Sequence, residues 1–346
     1  MTDKGDTLHL LRIRWFPDSV VVNPIHAAEE GGIMPRLGRL KFTDADAWYH
    51  LYSRIAAFKG DYPLSESVPM RCLIQTIEHY SAIYFCEVAA FCVMGNHYHL
   101  VARFDQPREV SRDDLRARTR LMYPSRASQR VIDGWSEEDW GRYRRRLFDV
   151  SEFMRNVQSS FARWYNRTYE RRGRFWAERF KSTFLQDKRA VLDCMLYVEL
   201  NPVRAGLVER PEEWHGSSLL LRELGKDAWL TPLREFVEQT NHAEALLEYR
   251  QRLYYRGSVP TRAGQRTISQ EVLDQEIARG FATTGLYRKR LGYFVDGLAI
   301  GTEGFIRDQL SRLREEGRYL RRKNPIPQLG GIHLSLREQR SSPASF

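Results

Sequence analysis

Three short segments of this sequence carry side chains whose types and spacing could do chemistry. The first, Gly95-Asn96-His97-Tyr98-His99-Leu100, opens an apolar run. Side chains two apart on a strand share a face, so His97 and His99 project to the same side, close enough to hold one divalent ion. Two ligands leave such a site unfinished, and two histidines on a strand can equally be ordinary strand residues. The second, Tyr197-Val198-Glu199-Leu200-Asn201-Pro202-Val203-Arg204, reads as a helix running into its stop. Positions i and i+4 stand one above the other, which puts Tyr197 and Asn201 on one face. A phenol there could attack a phosphate polarised by an ion to which the Asn supplies a hard oxygen ligand. Taken alone, the segment is a buried Tyr followed by an Asn-Pro helix stop. The third, Arg171 to Lys181 (RRGRFWAERFK), interleaves cations with Phe175, Trp176 and Phe180. Such a pattern suits a nucleic-acid strand, whose phosphates need charge and whose unpaired bases stack on aromatic faces. It suits a basic edge strand with core aromatics just as well.

The elements that must position these residues can be read from periodicity. Ala47 to Arg54 (AWYHLYSR) alternates as a half-buried strand, and Val68 to His79 spaces Met70, Leu73, Ile74 and Ile77 as a helix with Pro69 near its start. Ala82 to Met94 and His97 to Phe104, joined by Gly95-Asn96, form a β-hairpin. Asp105 to about Phe148 turns polar and reads as an insertion carrying short helices. Phe148 to Tyr169 places Phe153, Val157, Phe161, Trp164 and Tyr165 on one helical stripe. Phe175 to Leu185 is strand-like, and Lys188 to Leu200 is a helix stopped at Asn201-Pro202. This order predicts an α+β fold, an antiparallel sheet with helices on one face. The expected organisation is an extension at 1–38, a core domain at 39–220, a mainly helical region at 221–320 and a flexible tail at 321–346.

Composition narrows the class. Of 346 residues, 42% are hydrophobic and 12% aromatic, which excludes disorder over the whole chain. The longest apolar stretch, Ala82 to Gly95, is broken by Glu87 and too short to span a bilayer, so no membrane partner is expected. Met1 to Leu11 lacks a basic segment followed by an apolar one, and Cys72, Cys86, Cys92 and Cys194 form no CxxC pair. The expectation is a cytoplasmic protein with reduced thiols. The net charge of +10 is local, because Gly141 to Ala190 holds fourteen basic against five acidic residues. That segment lies between the His pair and Tyr197, and it predicts a track for an anionic strand.

Taken together and in this order, AWYHLYSR, VMGNHYHLVARF, GRFWAERFKS, YVELNPVRAGLV and WHGSS resemble the single-tyrosine HUH transposases of the insertion-sequence type, most closely the REP-associated tyrosine transposases. The resemblance covers residues 47 to about 220. It implies a ferredoxin-like or RRM-like antiparallel sheet with the tyrosine helix packed against the histidines. It implies Mg²⁺ or Mn²⁺ bound by His97, His99 and Asn201, and Tyr197 as nucleophile. The activity it implies is transposase-type nicking and rejoining of single-stranded or hairpin DNA at repeats, through a 5′-phosphotyrosine. That chemistry needs no ATP, in keeping with the lack of a GxxxxGK[ST] phosphate loop. Arg171, Arg172, Arg174, Arg179, Lys181 and Arg204 are the expected phosphate contacts, with Trp176 for base stacking or core. Relatives act as a homodimer or as a monomer. The competing expectations are a domesticated DNA- or RNA-binding protein that no longer cuts and, behind it, a metal-dependent hydrolase with water as nucleophile.

Overall fold

The computed structural model describes residues 40–56, 60–261, 264–283, 294, 297–316, 325–328 and 333–337. The expected extension at 1–38 lies outside them. The described strands are β1 (Ala47–Arg54), β2 (Cys86–Val93), β3 (His97–Phe104), β4 (Lys181–Leu185), β5 (Gly297–Gly301), β6 (Ile326–Gln328) and β7 (His333–Arg337). They form one sheet in the order β2-β3-β1-β4-β5-β7-β6. Every neighbouring pair is antiparallel except β4 with β5. The helices are α1 (Ser67–Ile83), α2 (Arg112–Met122), α3 (Arg126–Asp133), α4 (Glu137–Leu147), α5 (Val150–Thr168), α6 (Lys188–Glu199), α7 (Asn201–Arg204), α8 (Ser218–Glu223), α9 (His242–Gly257), α10 (Gln270–Ala278) and α11 (Glu303–Glu315). The α+β class read from the sequence holds. No helix among the described residues is long and apolar enough to cross a membrane.

Alternation along β1 sorts two cores. Tyr49 and Leu51 join Leu100 and Phe104 of β3, Leu73 and Ile77 of α1, and Phe153, Val157 and Phe161 of α5 in a core on one face. The stripe of α5 is started by Asp149, whose carboxylate accepts from the Ser151 backbone N–H at 2.6 Å. On the opposite face Val101 and Leu185 meet Val191 and Met195 of α6, which packs in turn on Tyr249 and Leu253 of α9. Helices therefore cover both faces, where one covered face was expected. The reason lies in α6 itself: every residue from Ala190 to Glu199 is buried, and a helix buried all round must be enclosed on several sides.

Two further expectations meet a different outcome. The polar insertion does carry helices, α2 to α4, yet Leu115, Met122, Ile132, Trp140, Tyr143 and Leu147 enter the same core as α1 and α5. Within the stretch read as a tail, Ile326–Gln328 and His333–Arg337 are strands, and β5 brings them into the main sheet beside β4. His333 is buried and its Nε2 lies 2.7 Å from the Asp187 carboxylate at the start of α6. Proline and glycine content hid these strands.

Candidate active site

The antiparallel register of β1 and β3 places Tyr52 opposite His99 and Arg54 opposite His97. That of β1 and β4 places His50 opposite Thr183 and Tyr52 opposite Lys181. Residues paired across strands share a face, so His50, Tyr52, His97, His99 and Lys181 stand together on the α6 side. The ring of His99 lies 5.0 Å from that of His97 and 5.0 Å from that of Tyr52. His50 bridges to His99, Nε2 to Nδ1, at 2.9 Å. His50 also places Nδ1 3.2 Å from the Phe294 carbonyl oxygen.

All three imidazoles are neutral at neutral pH. Burial lowers the pKa of His50 to about 4, against the backbone bond to Phe294 that raises it. It lowers that of His97 to about 4 as well, with Arg54 adding to the effect. His99 is held well below the usual range by burial and then by its two histidine neighbours. Neutral imidazole is the form that binds a metal.

Tyr197 sits in the last turn of α6, only 6% exposed. Its ring meets His99 edge-on at 6.0 Å and His50 at 6.1 Å, and packs on Phe294 at 5.2 Å. The Asn-Pro step does not end the helical path: Leu200 keeps helical angles and Asn201–Arg204 form a further turn. Asn201 Nδ2 donates to the carbonyls of Tyr197 and Val198 at 3.0 and 3.1 Å, which fixes the amide and leaves Oδ1 as the atom on offer. The Arg204 guanidinium carbon lies 5.4 Å from the Tyr197 ring centre. Both terminal nitrogens of Arg204 are buried without a hydrogen-bond partner among the described residues.

Among the described residues no group of three His, Cys, Asp or Glu is arranged to hold a metal ion. His50 does not complete a set with the other two, because its Nε2 is spent on His99. What the structure brings together is the His97–His99 pair and the Tyr197 ring, with Asn201 one turn further along the helix. The donor set is mixed, two neutral imidazole nitrogens of borderline softness and one hard amide oxygen, and can ligate a divalent ion to that extent.

The expected DNA contacts divide. Arg172, Arg174 and Arg179 are exposed in the loop before β4. Arg171 is committed to the Ala56 carbonyl at 2.9 Å and lies 5.7 Å from the Phe175 ring. Lys181 reaches the active face, 5.8 Å from the Tyr52 ring. Trp176 is half-buried and packs against the core. Its ring packs on Phe175 at 4.9 Å, Tyr98 at 5.4 Å and Phe161 at 5.8 Å, on the side of the sheet away from the histidines, and its indole N–H donates to the Gln158 carbonyl at 2.8 Å. The basic track is also shorter than its charge count suggested. Arg142, Arg144, Arg146 and Arg155 pair with Asp139, Glu109, Glu152 and Glu152 respectively on the helical side.

The WHGSS segment is an anchor. Trp214 Nε1–H donates to the Val93 carbonyl and the Val93 N–H to the Gly216 carbonyl, each at 2.8 Å. A Cβ on Gly216 would stand 2.5 Å from the Val93 oxygen, so only glycine fits. Ser218 accepts from the Phe91 N–H at 2.9 Å and donates to the buried Glu199 carboxylate, which Tyr249 also holds at 2.6 Å. Glu199 lies between Tyr197 and Asn201, so the anchor fixes the helix that carries both.

Sequence reading missed His50, Tyr52 and Phe294 as site residues. The first two were visible as the second face of AWYHLYSR, since Trp48, His50 and Tyr52 alternate with the core residues Tyr49 and Leu51. Phe294 arrives from a distant segment, with no local signal. No family model and no curated protein matches this chain. A solved structure, a REP-associated tyrosine transposase bound to a REP hairpin, is similar over 54% of this chain and 85% of its own, with a TM-score of 0.38 and 12% identity.

Proposed function

We propose that the protein nicks and rejoins single-stranded DNA, with Tyr197 as nucleophile. The observation that carries the reading is that the Tyr197 ring lies 6.0 Å from that of His99 and 5.4 Å from the Arg204 guanidinium, whose terminal nitrogens are buried without a hydrogen-bond partner among the described residues. The ordered motifs of the sequence supply the substrate class, hairpin-forming single strands. In the proposed step the Tyr197 oxygen attacks phosphorus and the bond to the 3′-oxygen breaks. The proton lost by the phenol is balanced by the one that the 3′-oxygen takes up. The 5′-phosphotyrosine keeps the bond energy for rejoining to another 3′-OH.

His97 and His99 would hold a Mg²⁺ or Mn²⁺ ion with Asn201. A bound ion would polarise the scissile phosphate and offset its growing charge. Arg204 would hold a non-bridging phosphate oxygen, in a buried setting where a charge-assisted hydrogen bond is strong. Arg172, Arg174, Arg179 and Lys181 would carry the flanking strand. The Glu199 anchor would fix the pitch of the tyrosine helix against the sheet.

The second reading, a protein that binds hairpin DNA or RNA without cutting, is favoured by one observation, the cover that Phe294 gives to a Tyr197 only 6% exposed. Covalent trapping separates them. Incubation of the full chain with labelled hairpin DNA and Mn²⁺ is expected to give a denaturation-resistant adduct that Tyr197→Phe loses. Binding by both proteins with an adduct from neither supports the binder. Cleavage that survives Tyr197→Phe points to water as nucleophile.

A further inference from the structure

His50 stands one strand away from His99, and neither ring can choose its protonated nitrogen freely. His50 Nδ1 faces the Phe294 carbonyl oxygen at 3.2 Å. A carbonyl only accepts, so the hydrogen of His50 is on Nδ1. His50 is 1% exposed, and a ring buried in this way is neutral with a single N–H. Its Nε2 is therefore a lone pair. That lone pair lies 2.9 Å from His99 Nδ1, and with the ring centres 5.1 Å apart both nitrogens lie close to the line between them, which allows an in-plane N–H···N bond. His99 must then donate from Nδ1, which leaves its Nε2 bare. His97 reaches the same state separately, with Nδ1 donating to Asn96 Oδ1 at 2.7 Å.

We propose that His50 is a positioning residue: through the chain Phe294 carbonyl, His50, His99, it fixes the tautomer in which His99 offers Nε2 to a divalent cation. The proposal rests on the metal-binding part of the function proposed above. The opposite tautomer would aim an N–H at the cation and could not ligate it. Partners of this kind commonly change metal affinity 10- to 100-fold when removed. The role also accounts for a buried histidine at this position, since an apolar residue would pack on Tyr197 and Phe294 without the cost of burying polar nitrogens.

The test begins with the metal-free full chain, ¹⁵N-labelled at histidine. The nitrogen shifts of His99 are expected to show protonation at Nδ1. Titration with Mn²⁺ alone, followed by electron paramagnetic resonance, is expected to show binding weakened about 10- to 100-fold in His50→Leu. His50→Gln, which can place an acceptor near the position of Nε2, should recover most of that affinity. Protonation of wild-type His99 at Nε2 overturns the proposal without any variant. So does a folded His50→Leu protein, judged by circular dichroism, that binds Mn²⁺ normally. A wild-type chain that binds no Mn²⁺ overturns the metal reading together with this role, whereas the other two results leave the metal reading standing.

Discussion

The Arg204 guanidinium lies 5.4 Å from the centre of the Tyr197 ring, and neither of its terminal nitrogens meets an acceptor among the described residues. Burial lowers its pKa to about 10, against the phenol of Tyr197, which raises it. The group is still charged at neutral pH. Leaving a buried donor unsatisfied costs about 1–3 kcal/mol. Arg204→Met keeps the stem and removes the orphaned charge, so it should raise unfolding stability by about 1 kcal/mol. If Arg204 holds the scissile phosphate, the same change should slow adduct formation by about 10²–10³. Chemical denaturation and adduct kinetics read the two effects; a variant that loses stability and keeps full activity would make Arg204 a packing residue.

Charge and aromatic character separate cleanly in the RRGRFWAERFK segment. Arg172→Gln, Arg174→Gln and Arg179→Gln together should flatten the dependence of log K on log salt for single-stranded DNA, by about 0.7 for each phosphate no longer neutralised. The melting temperature should not move, since all three side chains are exposed. Trp176→Leu should do the reverse. It removes the bond to Gln158 and the packing against Phe175, Tyr98 and Phe161, and should cost about 2–4 kcal/mol while leaving the salt slope unchanged.

What the sequence made legible follows from how local each signal is. The β2–β3 hairpin, the α5 stripe and the α6 helix rest on periodicity within one segment, and all three stand close to where they were expected. His97 and His99 share a face by strand geometry alone. The sidedness of the helices needed knowledge of what covers α6, and that cover, α9, lies more than forty residues downstream. Trp176 was undecided because one aromatic in a basic segment fits both a groove and a core. Only the neighbouring Phe161 and Tyr98 decide it.

Glu199 is buried, held by Ser218 and by Tyr249, whose hydroxyl is 2.6 Å away. Burial raises its pKa, while the hydrogen bonds from Ser218 and Tyr249 work to lower it. A carboxyl raised in the folded state binds its proton more tightly there than in the unfolded chain. Stability therefore declines as pH rises from the ordinary carboxylate value through the raised one. Tyr249→Phe removes a donor that supports the ionised form. It should cost about 1.5–3 kcal/mol where Glu199 is charged and nearer 1 kcal/mol where it is protonated. Urea titrations across the acid range test this, and in a Glu199→Gln background the pH dependence of the Tyr249→Phe cost should vanish.

Glu276 of α10, 2% exposed, ties the helical region to the rest of the chain. Arg210 and Arg279 bind one carboxylate oxygen, and Arg250 of α9 binds the other at 3.0 Å. Burial works to raise its pKa, but the bonds from Arg210 and Arg279 and the charge of Arg250 outweigh it, and the net shift is downward. The sign is thus opposite to that of Glu199. The stabilisation is complete above the ordinary carboxylate value and is lost as pH falls through the lowered one. Glu276→Gln leaves Arg210 without a carboxylate, while Arg250 keeps Glu212 and Glu223, and should cost about 1.5–3 kcal/mol at pH 7. The gap between the two unfolding curves should close as pH falls from the ordinary carboxylate range through the lowered value, where the wild-type carboxylate takes up its proton. Because the ion-pair partners of Glu276 are Arg210, Arg250 and Arg279, none of them a site residue, adduct formation at temperatures where the variant is folded should be unchanged. A loss of activity without a loss of stability would instead place α10 in the DNA path.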